Sequence, residues 1–155
     1  MPTVEQSMEV AVPVRTAYNQ WTQFEEFPKF MEGIERIEQQ SDTRLHWVAS
    51  FGGKTHEWDA DVTEQEPDQR VAWQSTDGAF NAGVVTFHRV DENRTRIMVQ
   101  MDWEPEGVLE KIGGALDFDD RRVKGDLERF KDMLEGRGTE SGEWRGQVTQ
   151  EEVTS

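Results

Sequence analysis

The stretch Leu45-His46-Trp47-Val48-Ala49-Ser50-Phe51-Gly52-Gly53-Lys54-Thr55-His56-Glu57-Trp58-Asp59-Ala60 decides the fold, because it specifies a β-hairpin and its register together. A two-residue Gly52-Gly53 turn supplies the positive φ that a tight hairpin needs. It places Leu45 opposite Ala60, Trp47 opposite Trp58 and Ala49 opposite His56. The reverse face pairs His46 with Asp59, Val48 with Glu57 and Ser50 with Thr55. Slipping by one residue would exchange the two faces, so the register is strongly specified. One face is aromatic and apolar and the other is wet, with His46 and Asp59 as a surface pair.

Turn chemistry bounds further strands on either side. Apolar residues in the segments 34–40, 44–51, 54–64, 69–76, 82–90 and 95–104 are separated by Ser41-Asp42, Gly52-Gly53, Pro67-Asp68, Asp77-Gly78 and Asp91-Glu92-Asn93. Short successive connections predict an antiparallel meander. Centring the last turn on Glu92-Asn93 pairs Val84, Thr86, His88 and Val90 with Met101, Val99, Ile97 and Thr95. That face is the more apolar one and is expected inward, carrying His88 with it. Phe87 and Met98 are then expected on the outer face.

Before the meander, residues 5–12 read as a first strand ended by Pro13. Val14, Ala17, Tyr18 and Trp21 follow at helical spacing, and Phe24, Phe27, Phe30 and Met31 suggest a second short helix. After Pro105, the stripe Val108, Leu109, Ile112, Leu116, Val123, Leu127, Phe130, Met133 and Leu134 predicts a long helix with a bend at Gly113-Gly114. Gly136 and Gly138 stop it. Residues 136–155 are polar and read as a disordered tail. Within it, Glu143-Trp144-Arg145-Gly146 is open to two readings: a docking motif for a protein partner, or a tryptophan that folds back on its own domain.

Composition narrows the function. The chain has 155 residues, net charge −15 and no cysteine. The acidic balance argues against nucleic-acid and anionic-membrane binding, which rest on cationic contacts. No apolar run is long enough for a membrane span and no secretory signal is visible, so a cytoplasmic protein without integral membrane association is expected. Without cysteine there is no disulfide, thiolate metal site or cysteine nucleophile. The three histidines, at 46, 56 and 88, lack metal-ligand spacing. No phosphate-cradling glycine loop or nucleophile elbow occurs, and nothing calls for a cofactor.

The element order, together with Val12-Pro13-Val14 through Trp21, the residues 24–30, 56–64, Arg70-Val71-Ala72-Trp73-Gln74-Ser75, 83–87, 95–101 and Gly125-Asp126-Leu127-Glu128-Arg129-Phe130-Lys131, resembles the START-like superfamily. Within it the chain is similar to the bacterial polyketide cyclase/dehydrase and coenzyme-Q-binding-type branch. The resemblance covers residues 1–135. It implies an α+β helix-grip fold, a bent antiparallel sheet wrapped around a long C-terminal helix with two short helices after strand 1. It further implies an apolar ligand between sheet and helix.

Carried onto this chain, the candidate pocket residues are Trp47, Trp58, Trp73, His56, His88, Val99 and Met101 from the sheet, Phe27 and Phe30 from the short helices, and Gly113, Leu116 and Leu127 from the long helix. Each indole either stacks on a flat ligand or simply fills the core. His56 and His88 are candidate proton shuttles, with a structural hydrogen bond as the plainer role for each. The expected function is binding of a small hydrophobic, aromatic or polycyclic ligand. The alternatives are a polyketide cyclase or dehydratase using a pocket histidine, and a non-catalytic protein-interaction module.

Overall fold

In a computed structural model, residues 3–51, 53–76, 80–104, 120–148 and 153–154 are described. Strand β1 (Thr3–Val10) leads into helix α1 (Val14–Trp21) and a 3₁₀ helix (Phe24–Lys29). Six strands follow: β2 (Ile34–Gln39), β3 (Arg44–Phe51), β4 (Lys54–Glu66), β5 (Arg70–Ser75), β6 (Phe80–Asp91) and β7 (Arg94–Glu104). Helix α2 (Asp120–Arg137) comes next, then two-residue strands β8 (Gln147–Val148) and β9 (Val153–Thr154). The sheet order is β1-β7-β6-β5-β4-β3-β2, every pair antiparallel. The pairing of β1 with β7 is non-sequential and brings the two chain halves together. This is the expected helix-grip arrangement. The bend expected at Gly113-Gly114 lies outside the described residues.

The β3–β4 hairpin has the register written in its sequence, with Leu45 opposite Ala60, Trp47 opposite Trp58 and Ala49 opposite His56. Gly53 adopts φ +78°, the left-handed conformation this turn requires. On the wet face His46 lies between two carboxylates, Nδ1 2.8 Å from Asp59 and Nε2 2.9 Å from Glu57.

The β6–β7 hairpin departs from expectation. At the turn, Asp91 does face Arg94, as centring on Glu92-Asn93 requires. A β-bulge at Val90 then inserts one residue, so Arg89 faces Thr95 and Phe87 faces Ile97. One inserted residue inverts the faces of everything beyond it. Val85 and Phe87 are therefore buried with Ile97, Val99 and Met101, whereas His88 is exposed and bonds Thr86 Oγ1 at 3.1 Å. The inward placement of His88 and the outward placement of Phe87 are both overturned. Val90, the bulged residue, is left 43 % exposed. A second bulge, at Thr63 in β4, similarly turns Gln65 into the core, where it is 1 % exposed.

The helices plug the concave face through aromatic contacts. Trp47 and Trp58 stack at 5.7 Å and 12°, and Trp47 meets Phe27 at 6.0 Å. Trp21 meets Phe27 at 5.2 Å and Phe130 of α2 at 5.1 Å. Tyr18 of α1 packs edge-on to Phe87 at 5.4 Å, a contact that the bulge makes possible.

The expected disorder from residue 136 onward does not hold over residues 138–148. Gly138, at φ +80°, ends α2 by donating to the Leu134 carbonyl. The chain then runs back along α1. Asn19 donates to Glu140 at 2.8 Å, the Ser141 amide donates to Gln20 Oε1 at 2.9 Å, and the Trp144 amide donates to Thr22 Oγ1 at 3.1 Å. Arg145 lies over the Tyr18 ring, donates to Asn19 Oδ1 at 2.6 Å and pairs with Asp68 at 2.9 Å. Val148, 1 % exposed, pairs with Gln65 along the part of the β4 edge that β3 is too short to cover. The physical reason is that Asn19 and Gln20 are fully buried polar groups, and this strap supplies their partners. Trp144 folds back, its ring against the backbone of Gly146.

Two expected outcomes follow from these contacts. Ending the chain after Gly138 removes the Glu140 and Arg145 partners of Asn19 and the Ser141 partner of Gln20, which keeps Arg137. Urea unfolding should then show a loss of about 1–3 kcal/mol and a Tm lower by roughly 3–10 °C; unchanged stability would show that the strap contributes nothing. The hydrogen bonds to Asp59 and then Glu57 raise the His46 pKa above its ordinary 6.5, and the His46 bond lowers that of Asp59 below 3.8. A raised histidine stabilises fully below its unfolded pKa and loses that contribution as pH rises through the folded one. A lowered carboxylate does so above its unfolded pKa. The pair thus stabilises most between about pH 4 and 6.5. Stability measured by denaturant between pH 6 and 8 should fall in the wild type more than in His46→Gln, by about 0.5–1 kcal/mol.

Candidate functional site

Between the sheet and α2 lies a cavity of about 30 Å³ lined by Trp21, Met31, Trp73, Val99, Met101, Val123, Asp126 and Leu127. Each wall is placed by a local feature of the sequence. Val99 and Met101 alternate on β7 and face inward because Ile97 and Thr95 do, and Trp73 has the same parity on β5. Val123 and Leu127 are one helical turn apart on the buried stripe of α2. Trp21 closes α1, and Met31 follows the 3₁₀ helix.

The floor of the site depends on Gly83. Trp73 and Met101 are its neighbours on the two adjacent strands. A Cβ on Gly83 would stand 2.5 Å from Trp73 Cζ2 and 2.8 Å from Met101 Sδ. The indole therefore lies directly on the glycine backbone, which lets a large ring lie flat on the sheet.

Among the described residues the cavity lining is almost entirely apolar, and Asp126 is its one ionisable side chain. Its Oδ1 accepts the Glu32 amide at 3.1 Å and is also paired with Arg129. Arg129 Nε in turn donates to the Phe30 carbonyl at 2.8 Å. Asp126 thus sits at the rim with its charge compensated. Tyr18, the other buried ionisable group in this half of the fold, lies outside the cavity. Burial pushes its phenol up to about 12, against a partial lowering by Gln65 and Arg145. It stays protonated at neutral pH.

The candidates read from the sequence separate into three sets. Trp73, Val99, Met101 and Leu127 are brought together around the cavity. Trp47, Trp58, Phe27 and Phe30 are buried at 4 % exposure or less in the aromatic cluster, where they contact one another and Trp21 but do not themselves line the cavity. His56 is half-buried at the turn end of β4, opposite Ala49, and does not line the cavity. His88 is on the outer face. Gly113 and Leu116 lie outside the described residues. Trp21, Met31, Val123 and Asp126 were not among the sequence candidates. Helical spacing marks the first three as buried, but nothing in a linear pattern says which buried residue borders unfilled space. Among the described residues no cluster of three or more histidines and carboxylates forms a metal site, and no helix is long and apolar enough to cross a membrane.

Comparison with known proteins places this architecture. Residues 10–132 match the model of the family described as polyketide cyclase / dehydrase and lipid transport. The chain belongs to this family. It is 60 % identical over 149 residues to an uncharacterized 17.2 kDa protein of the melC2-rnhH intergenic region in Streptomyces lincolnensis, covering 96 % of this chain and 99 % of that one. The fold is similar to that of a START superfamily protein from Mycobacterium smegmatis (TM-score 0.67, 16 % identity, 85 % of this chain and 98 % of that one). It is also similar to the Zhui aromatase/cyclase from Streptomyces sp. R1128 (TM-score 0.72, 14 % identity, 92 % and 99 %). The polyketide cyclase/dehydrase family read from the sequence is the one this match gives, and the fold is the START-like fold expected from it.

The contact between Trp73 and Gly83 can be tested directly. Gly83→Ala should destabilise by about 1–3 kcal/mol through overpacking, measured by urea unfolding. Trp73→Ala in the same chain should remove most of that additional cost, because the clash is with the indole. Strictly additive effects would mean that the ring does not rest on Gly83.

Proposed function

We propose that this protein binds a small, flat, apolar molecule with one hydrogen-bonding end between the sheet and α2, and does so without transforming it. The observation that carries this reading is the cavity itself, walled by Trp73, Met101, Val99 and Leu127 with a single polar side chain, Asp126, at its rim. Desolvating an apolar ring against these walls contributes roughly 25 cal/mol per Å² of apolar area buried, before ordering costs are subtracted. Trp73 offers a face for stacking. Asp126 offers an acceptor for a hydroxyl.

At about 30 Å³ the cavity is far smaller than the ~300–1,000 Å³ of typical ligand pockets, so binding requires side chains to move. Met31 and Met101 are suited to this, since an unbranched thioether repacks at little cost. The family description includes both cyclisation and lipid transport. Binding is favoured over cyclisation here because acid–base chemistry needs a titrating group within reach of the substrate. The cavity walls include no imidazole, and Asp126 is already engaged by Arg129 and the Glu32 amide.

Titration with flat polyphenols, isoprenoid quinones and fatty acids, following tryptophan fluorescence and Tm, tests the reading. One class should give saturable quenching and a stabilisation approaching about 2.7 kcal/mol at a ligand concentration of 100 Kd. Val99→Phe should weaken that binding at least tenfold while the chain remains folded, and His56→Ala should leave it unchanged. Absence of any response from all three classes would overturn the proposal.

A further inference from the structure

The side chain of Met31 borders two spaces. On one side is the internal cavity; on the other is an open surface groove of about 360 Å³ formed with Pro28, Gly33, Ile34 and Arg129, among others. Among the described residues Met31 is the one common to both linings, and its neighbours form the partition between them. Its backbone part is residues 31–33, held between buried Phe30 and buried Ile34, with Gly33 at φ +87°. Its α2 part is Asp126, which lines the cavity, and Arg129, which lines the groove.

The bonds across this partition are polar and lie at the surface. Arg129 donates to the Phe30 carbonyl at 2.8 Å, pairs with Asp126, and approaches Glu32 at 4.0 Å. Asp126 accepts the Glu32 amide at 3.1 Å. The Arg129 side chain is 44 % exposed, so water can replace the contacts it loses when they open. By contrast, the opposite wall of the cavity is a hydrogen-bonded ladder of β5, β6 and β7, which opens only at the cost of several buried backbone bonds.

We propose that the cavity opens to solvent between residues 31–33 and α2, with the Met31 side chain as the door and the Asp126–Arg129 pair as its latch. This rests on the reading that the cavity holds an apolar ligand, and it identifies where that ligand enters. Swinging Met31 aside joins the cavity to the groove, so an entering ligand is not confined to the 30 Å³ of the cavity alone. An apolar molecule passing Met31 exchanges one apolar contact for another, so the thioether presents a low barrier. The latch sets how often the passage is available, and a population shift of this kind acts on association and dissociation rates together.

The lack of native cysteine permits a test that needs no ligand. Val99→Cys places a single thiol on the far wall of the cavity, at a position 4 % exposed; Val123→Cys provides a second reporter on α2. The rate of modification by methyl methanethiosulfonate is measured in each background, with urea unfolding giving the contribution of global opening. Adding Met31→Ala or Arg129→Ala should raise the rate at least tenfold beyond that contribution. Arg94→Ala, at the distant β6–β7 turn, should not. Rates that follow global stability alone in every variant, for both reporters, would overturn the door.

The same variants are then mixed with N-phenyl-1-naphthylamine in a stopped-flow instrument. Arg129→Ala should speed association and dissociation each by about threefold or more. Labelling that responds to Met31 and Arg129, with no binding of this probe or of any class in the panel, would leave the door standing and remove the ligand. Binding with unaltered rates and unaltered labelling would remove the door and leave the ligand.

Discussion

A continuous series of aromatic contacts holds this protein together. It begins at the stacked pair Trp58 and Trp47 on the sheet, passes through Phe27 of the 3₁₀ helix to Trp21 of α1, and ends at Phe130 of α2. Each ring belongs to a different element, so one cluster fixes the sheet, both short helices and the long helix relative to one another. Aromatic pairs of this geometry add about 0.5–1.5 kcal/mol each beyond the area they bury. The cavity lies beside this cluster rather than within it. Trp21 is the shared member, packed against Phe27 and Phe130 while also bordering the empty space.

This division separates rigidity from adaptability. The aromatic end is filled, and its rings are locked by mutual contact. The neighbouring end is walled by two methionines, small aliphatics and one indole lying flat on Gly83. Methionine yields where stacked aromatics do not. The proposed ligand site therefore lies at the Trp73 end, where the proposed polar latch would open without disturbing the core.

Polar contacts define the other boundary of the domain. Asn19, Gln20 and Gln65 are buried to within 1 % of completely. Asn19 and Gln20 find their partners in residues 138–145, and Gln65 forms the strand pairing with Val148. These strap residues lie beyond residues 10–132, the stretch matched by the family model. Their cation, Arg145, meets a ring, an amide and a carboxylate together. Such a site holds a segment that has few apolar anchors of its own.

The strands, both short helices and the β3–β4 register were legible in the sequence, because alternation and Gly52-Gly53 are local signals and a slip would bury charge. Half of the described cavity lining was legible too: Trp73, Val99, Met101 and Leu127 have the right parity or helical phase. Three things were decided only by tertiary structure. The bulge at Val90 inverted the β6–β7 faces and sent His88 outward, since a single inserted residue leaves no mark in composition or turn chemistry. Trp47 and Trp58 became core instead of pocket wall, since alternation gives the face a side chain points to but not what meets it there. The polar tail became a strap, since its anchors are hydrogen bonds to buried Asn19 and Gln20, and a pattern of polar residues looks the same whether water or protein supplies the partner.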